Sequence, residues 1–531
     1  MISATTFRAS RGFTFAAIFV FCAGGSTFFD VPTARAEEPS GLQAAAAMEK
    51  ALVDTIAKCE KSVVAIAQYR KYKPGKAPAR GFRADPFAPE LQPRDAVPPQ
   101  PTDSDFIPTE YGTGVVIDKQ GLIVTNYHVL GKSTDDYDLE HWVATADHKL
   151  RLATIKATDP RSDLAVLEID ASNLTPIALG DANGVKKGQI VIALGNPYAI
   201  ARDGEVSASW GIVSNLSRKA GPLPAANPNA ATTKTTLHHF GTLIQTDAKL
   251  NFGTSGGALV NLKGEMIGLT TSAAAAAGYE QAAGYAIPVD DTFRRALNAL
   301  KEGREVEYGF LGVSPPRYAE DPRALPSGGM RVANVFRATP AYRAGLRSED
   351  VITHINEQPV RDADHLFLLV GRMAADEHVQ MTVLRNEPSE KDITTKRDVA
   401  KKIDVTLGKY PLRERPIVTA PEPSWRGLRV EFVTAQPNYQ ELYLAGKIPD
   451  DPCVVITEVA KDSLAASAGL HVGEFITRVG SAEVETPKAF YAAASKLSGP
   501  VVLRILIESK SLDPVSGRIE FKPQTKTVPA K

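Results

Sequence analysis

Gly253-Thr254-Ser255-Gly256-Gly257 is the stretch on which the fold of this chain turns. A serine set between glycines keeps its hydroxyl reachable, and the backbone N–H groups of such neighbours can turn toward an approaching carbonyl. Two earlier segments supply what the serine lacks. Thr125-Asn126-Tyr127-His128-Val129 offers a base, and Ser162-Asp163-Leu164-Ala165-Val166 offers a carboxylate to orient it. The order is His, Asp, Ser, with spacings of 35 and 92 residues (163 − 128 and 255 − 163). Each segment alone has an ordinary reading: a loop, a polar residue at a strand end, a turn aspartate. Together, and in this order, they make His128, Asp163 and Ser255 candidates for a nucleophile, its base and an orienting acid.

The remaining chain is long enough to carry more than this one site. With 531 residues it exceeds one ordinary core, and about three or four domains are expected. Lysine plus arginine and aspartate plus glutamate are both 61, which argues against non-specific nucleic-acid binding and a polybasic membrane anchor. Only three cysteines occur, so Cys59 and Cys453 read as buried thiols in separate domains rather than as a disulfide framework. Residues 1–36 read as an export signal: Arg8 and Arg11, an apolar run from Phe13 to Phe21, then Ala34-Arg35-Ala36 before Glu37. The run is short for a membrane span, and Gly24, Gly25 and Ser26 interrupt it.

Residues 37–108 read as a helix over 41–59, a strand at Val63-Ile66 and a proline-rich loop from Lys71 to Pro108. Residues 109–303 form the next unit, whose fold begins near residue 60. Its short period-two apolar runs, separated by Gly, Asn and Asp, predict two all-β units, one holding His128 and Asp163 and the other Ser255. Asp290 to Lys301 reads as a helix. After it the chain repeats itself: Thr339-Pro340-Ala341-Tyr342-Arg343-Ala344-Gly345-Leu346 answers Ser463-Leu464-Ala465-Ala466-Ser467-Ala468-Gly469-Leu470, 124 residues on (468 − 344). Two homologous domains follow, at 305–408 and 425–508, joined by a proline-bearing linker at 409–424. Residues 509–531 read as a polar, unstructured tail.

At this point the chain resembles the HtrA/DegP family of envelope serine proteases, over about residues 60–508. The shared motifs are G-T-G-V-V-I-D (112–118), T-N-Y-H-V, S-D-L-A-V-L, A-L-G-N-P (193–197), I-Q-T-D (244–247) and G-T-S-G-G-A-L-V-N (253–261). The chain order is that of chymotrypsin. The resemblance implies a mainly β protein, a chymotrypsin-like double β-barrel protease followed by two α+β PDZ domains. It implies a serine endopeptidase of the periplasm that degrades unfolded or misfolded proteins. Its partners would be protein and peptide substrates, C-terminal peptides at the PDZ domains, and copies of itself in trimers or multiples of trimers, with no nucleic acid and no cofactor. By the same resemblance Gly253 and Ser255 supply the oxyanion hole, Leu250 and Leu269 line the specificity pocket, and Phe310-Leu311-Gly312-Val313 takes a peptide carboxylate. Lys71 to Pro108 occupies the place of a loop that reaches a neighbouring active site in relatives.

Several positions depart from the family pattern. Phe252 and Thr254 flank the oxyanion loop in place of the usual residues. Trp210 takes a usually small position, and core filling is the favoured reading over lining the cleft. Lys249 disfavours cleavage after Lys or Arg; it either tolerates acidic side chains or snorkels to the surface. In the second PDZ domain Leu428-Arg429-Val430 puts arginine where glycine is expected, which predicts weak peptide binding there. No metal site is apparent, since His238-His239 lacks a third ligand. The alternative reading is a weakly active or inactive protease-fold scaffold or chaperone.

Overall fold

Val- and Ile-rich segments of the first 300 residues close into rings of antiparallel strands. The computed structural model describes residues 41–73, 101–102, 108, 110–135, 137–196, 205–220, 234–251, 253–271, 283–316, 328–388, 396–512 and 518–530. The expected export signal and most of the Lys71–Pro108 segment lie outside them. The chain divides into two units, residues 1–49 and 50–531. Helix α1 (Gly41–Cys59) runs into β1 as expected.

Strands β1 (Val63–Tyr72), β2 (Glu110–Val116), β3 (Leu122–Asn126), β4 (Tyr137–Ala144), β5 (Leu150–Asp159) and β6 (Leu164–Ile169) form a closed barrel in the order β1-β2-β3-β6-β5-β4. A second set follows: β7 (Ala178–Leu179), β8 (Ile190–Gly195), β9 (Ser207–Arg218), β10 (Leu243–Thr246), β11 (Ala258–Asn261), β12 (Glu265–Thr271) and β13 (Gly284–Pro288). It runs β11-β8-β9-β10-β13-β12, closes through the β11–β12 pairing, and takes β7 alongside β12. Closure pairs the first and last strands of each ring with one another. One apolar cluster runs through both barrels, from Val63, Val115 and Val166 to Ile192, Val260 and Leu269. Helix α2 (Asp291–Lys301) is capped by Asp290, whose carboxylate accepts the Phe293 N–H, and it buries Phe293, Ala296, Leu297 and Leu300.

The repeated units each build a small sheet with one long helix. The first pairs Met330–Arg331, Val351–Ile355, His378–Pro388 and Lys396–Thr406, with the helix Ala363–Arg372. A buried, bidentate Arg385–Asp350 ion pair holds two of its elements. The second pairs Leu428–Phe432, Val454–Val459, Phe475–Val479, Val501–Leu512 and Ile519–Val528, with the helix Pro487–Ser495. The last of these strands corrects the expected polar tail. Ile519–Val528 pairs with Val501–Leu512 from Val528 opposite Val501 onward, and Val528 is fully buried. Composition hides this strand in the sequence: Lys522, Gln524 and Lys526 stand in step with Val528, opposite Ile507, Ile505 and Leu503, and Lys526 is largely buried against Glu474, so the segment looks polar throughout.

The proline-bearing linker is also more than a spacer. Ile417 donates its N–H to Thr158 Oγ1 (2.8 Å), and the Ile417 carbonyl accepts the Thr158 N–H (2.9 Å). Beside it Lys409, 5% exposed, sits among Glu305 (2.8 Å), Glu431 (2.7 Å) and Glu307 (3.5 Å). One ammonium thereby joins the end of the protease-like part to both repeats. Burial disfavours that charge, but the three carboxylates outweigh it and hold the Lys409 pKa above its usual value.

Candidate active site

His128 and Asp163 come from the same barrel, on the turns that follow β3 and β5. His128 lies in the short 3₁₀ turn Tyr127–Leu130, and Asp163 lies in the turn between β5 and β6 with φ +56°. Aspartate tolerates this left-handed backbone better than most residues. The strain is offset by hydrogen bonds. The Asp163 carbonyl accepts the Tyr127 N–H (3.0 Å) and Asn126 Nδ2–H (3.2 Å), and Asp163 Oδ1 accepts the His128 N–H (3.0 Å). Asp163 is therefore fixed at both ends, and its Oδ2 stands 2.8 Å from His128 Nδ1. A carboxylate at Nδ1 keeps the proton there and leaves Nε2 as the base. Partial burial disfavours the imidazolium, but the charge of Asp163 and its hydrogen bond outweigh that, so His128 is held above its ordinary pKa.

Ser255 is brought to the same place by the second barrel. Its loop lies against the first barrel through Thr113 on β2. The Thr113 N–H donates to the Ser255 carbonyl (2.8 Å), and Thr113 Oγ1 donates to the Gly253 carbonyl (2.7 Å). Gly256, at φ +84°, packs so closely that a Cβ would stand 2.0 Å from the Thr113 carbonyl and 2.3 Å from Thr125 Oγ1, three residues before His128. Only glycine fits there, and that contact sets the Ser255 turn beside the His128 turn. Thr254 closes the loop: its N–H (3.1 Å) and hydroxyl (2.7 Å) both donate to the Asn251 carbonyl. Phe252 lies outside the described residues.

The inter-repeat linker passes beside this site. Glu414 Oε2 accepts the Tyr127 hydroxyl (2.8 Å) and Oε1 pairs with Lys132 (2.7 Å), gripping the residues on either side of the His128 turn. A cavity of about 680 Å³ lies under it, lined by His128, Asp163, Lys234, His238, Tyr410 and Leu412 among others. His238 donates from Nε2 to the Ser162 carbonyl (2.8 Å), so it holds the Asp163 turn from the second barrel.

The specificity candidates separate. Leu250 is half-buried and a Cβ on Gly284 would touch it at 2.8 Å. Leu269 is fully buried in the cluster shared by the barrels and does not join Leu250. Lys249 is exposed, which favours the surface reading, and its carbonyl takes the Ser209 hydroxyl (2.8 Å). Trp210 is 55% exposed on β9, against the expected core role; it points outward in step with Ile212 while the alternate residue Val213 points in.

The peptide-loop candidates have a matched pair in the second repeat, and it is not the one the sequence suggested. In the first repeat Gly312 has φ +89°, its carbonyl accepts the Phe336 N–H (3.0 Å), and a Cβ there would strike Thr339. In the second repeat Gly427 has φ +83°, its carbonyl accepts the Ala460 N–H (2.8 Å), and a Cβ would strike Ser463. Thr339 and Ser463 are the same repeat position. The loop glycine is thus Gly427, and Arg429 lies two residues on, in the strand Leu428–Phe432, paired with Glu422. Phe310, Leu311 and Val313 correspond to Trp425, Arg426 and Leu428. Leu311 and Val313 are core residues of their repeat, while Phe310 packs edge-on against Tyr410 and Tyr439. In the second repeat Leu428–Phe432 is the edge strand, and Tyr491 of the helix Pro487–Ser495 fills the position beside it. Its hydroxyl accepts the Val430 N–H (3.2 Å) and donates to the Pro423 carbonyl (2.8 Å).

Sequence reasoning missed Thr113, Glu414 and Gly427 as parts of these sites. Thr113 sat inside a quoted motif without a role, and Gly427 could have been found by seeking a glycine before the Thr339/Ser463 position rather than by matching Leu-x-Val.

Comparison with known proteins adds names. The trypsin-like peptidase domain family matches residues 112–269, and the PDZ domain family matches residues 309–396. A periplasmic serine endoprotease described as DegP-like, from Pseudomonas fluorescens, is 31% identical over 412 residues, covering 75% of this chain and 77% of the relative. A DegP-like relative from Hahella chejuensis is 30% identical over 406 residues, covering 75% and 77%. Among solved structures, the HtrA-type protease AlgW with a decapeptide is similar at 26% identity and a TM-score of 0.48, covering 68% of this chain and 98% of that one.

Proposed function

We propose, because this chain belongs to the HtrA/DegP family of serine endoproteases, that it cuts unfolded proteins in the periplasm by an acyl-enzyme route run by Ser255, His128 and Asp163. The chain is a PDZ-regulated serine endoprotease, and its curated relatives are named as periplasmic. No described helix is long and apolar enough to cross a membrane. The observations that support the residue assignment are the His128–Asp163 pair, at 2.8 Å, and the close packing of Gly256 against Thr113 and Thr125, the latter three residues before His128.

The roles follow from that arrangement. His128 Nε2 takes the Ser255 hydroxyl proton as Oγ attacks a peptide carbonyl, and the imidazolium so formed is stabilised by Asp163. The tetrahedral oxyanion turns to the N–H groups of Gly253 and Ser255, where each donor is worth roughly 3–4 kcal/mol of barrier. His128 then returns the proton to the leaving amine, and water admitted by the same base releases the acyl group. Leu250 favours small or medium aliphatic side chains at the cut. In the PDZ domains an extended C-terminal peptide would add to a sheet edge, its carboxylate at Phe310-Leu311-Gly312-Val313. Assembly as a trimer or a multiple of trimers belongs to the same reading.

The test is casein degradation by the mature protein and by Ser255→Ala. Degradation lost in the variant supports the proposal; equal degradation overturns it.

A further inference from the structure

The turn that carries Asp163 is built on a second, deeper carboxylate. Asp159 is 1% exposed and accepts four hydrogen bonds. Three come from its own turn: the Arg161 N–H (3.1 Å), the Ser162 N–H (3.3 Å) and the Ser162 hydroxyl. The fourth comes from Tyr308, 149 residues away and likewise fully buried. Tyr308 lies between α2 and the first strand of the first PDZ domain, Gly309–Phe310.

The surroundings leave Asp159 dependent on that phenol. A buried carboxylate is costly unless hydrogen bonds or a paired cation compensate it. Arg161 does not make that pair; its guanidinium lies over the Tyr410 ring at 3.8 Å and donates to the Thr235 carbonyl (3.0 Å). Arg295 faces the Tyr308 ring at 5.3 Å, and Tyr410 donates its N–H to the Tyr308 carbonyl (2.8 Å). His238 holds the Ser162 carbonyl from the other side, with His239 next to it. Tyr308 is therefore the one link among these that ties the root of the PDZ domain to the carboxylate under Asp163.

We propose that Tyr308 is a positioning residue for Asp163: by donating to Asp159 it sets the turn that aims Asp163 at His128, and so couples the attachment of the first PDZ domain to the triad. The proposal rests on the reading of His128, Asp163 and Ser255 as the catalytic set. Loss of the phenol frees Asp159 to draw its remaining donors, Arg161 N–H and Ser162, out of place, and Asp163 is the next residue. Catalysis should suffer more than substrate binding, because Asp163 acts on His128 and not on substrate.

The experiment uses the full mature chain and a fluorogenic peptide. Tyr308→Phe keeps the ring volume and removes only the hydroxyl. Its kcat should fall about tenfold, the worth of one hydrogen bond to a charged group, with KM little changed. The acid limb of its kcat/KM profile should move to lower pH, because His128 loses part of its interaction with Asp163. Combined with Asp163→Asn, it should cost nothing further. Ser162→Ala, which withdraws another donor from the same carboxylate, should show the same limb shift and keeps the test open if Tyr308→Phe does not fold. An unmoved limb, a loss confined to KM, or losses that multiply with Asp163→Asn would overturn the proposal. Activity surviving Ser255→Ala would instead overturn the catalytic reading beneath it.

Discussion

Asp163→Asn is the substitution whose outcome the geometry fixes most tightly. Asp163 Oδ1 accepts the His128 backbone N–H at 3.0 Å, so an asparagine must place its carbonyl oxygen there. Its NH₂ then falls at the Oδ2 position, 2.8 Å from His128 Nδ1. An amide donor facing Nδ1 makes that nitrogen an acceptor and moves the ring proton to Nε2. The tautomer that results cannot take the Ser255 proton. The shape of the turn is kept, because the Asp163 carbonyl still receives Tyr127 and Asn126. A wrong tautomer in an otherwise intact triad costs roughly ten-thousandfold in kcat, or about 5.5 kcal/mol of barrier. Steady-state hydrolysis of a fluorogenic peptide from pH 5 to 9 reads both effects. Wild type should show an acid limb above the ordinary histidine value of 6.5, because activity needs neutral His128 and Asp163 holds its cation. The variant should have a collapsed kcat, unchanged melting temperature and unchanged KM. A loss of less than tenfold would refute the tautomer reasoning.

Other outcomes follow from the rest of the molecule. Lys409→Ala leaves Glu305, Glu307 and Glu431 facing one another without their cation, and should destabilise the chain by about 3 kcal/mol, read as a melting temperature several degrees lower by calorimetry. Tyr491→Ala should open the edge of Leu428–Phe432, so that a photo-crosslinking apolar C-terminal peptide labels the second repeat in the variant but not in the parent; equal labelling would count against the Tyr491 hydroxyl occupying that edge. Burial lowers the pKa of both His141 and His238, so each is neutral in the folded chain and protonates more readily when unfolded. Stability they contribute is present above pH 6.5 and falls as pH drops below it, so melting temperature should decline between pH 7 and 5.5, and less steeply in His238→Gln.

What was legible in the sequence was whatever lay within one local pattern. Gly253 to Gly257, with His128 and Asp163 in their flanks, specified both the double barrel and the candidate site. The period-two runs marked strands, and the helix expected from Asp290 to Lys301 is found at Asp291–Lys301. What stayed hidden depends on contacts far apart in the chain. Tyr127 and Glu414 lie 287 residues apart, and Asp159 and Tyr308 lie 149 apart, so neither pair leaves a spacing to read. Two errors came from the repeat itself. Its 124-residue offset already holds at Met330, answered by Val454, and would carry Lys396–Thr406 onto the closing strand Ile519–Val528. It fails upstream of Met330, because the second repeat carries extra residues around the helix Tyr439–Leu444, and so Gly427 was passed over for Arg429. Trp210 was misplaced for a different reason: an apolar side chain does not say which face of its strand it occupies.

The most direct test is where a fluorophosphonate lands. These reagents phosphonylate a serine activated by a neighbouring base, the serine oxygen bonding to phosphorus as fluoride leaves, and digestion followed by mass spectrometry identifies the residue. The predicted result is a single adduct on the peptide containing Ser255, abolished by His128→Ala and formed far more slowly in Asp163→Asn. An adduct on another serine, or casein degradation with Ser255 unlabelled, would contradict the account.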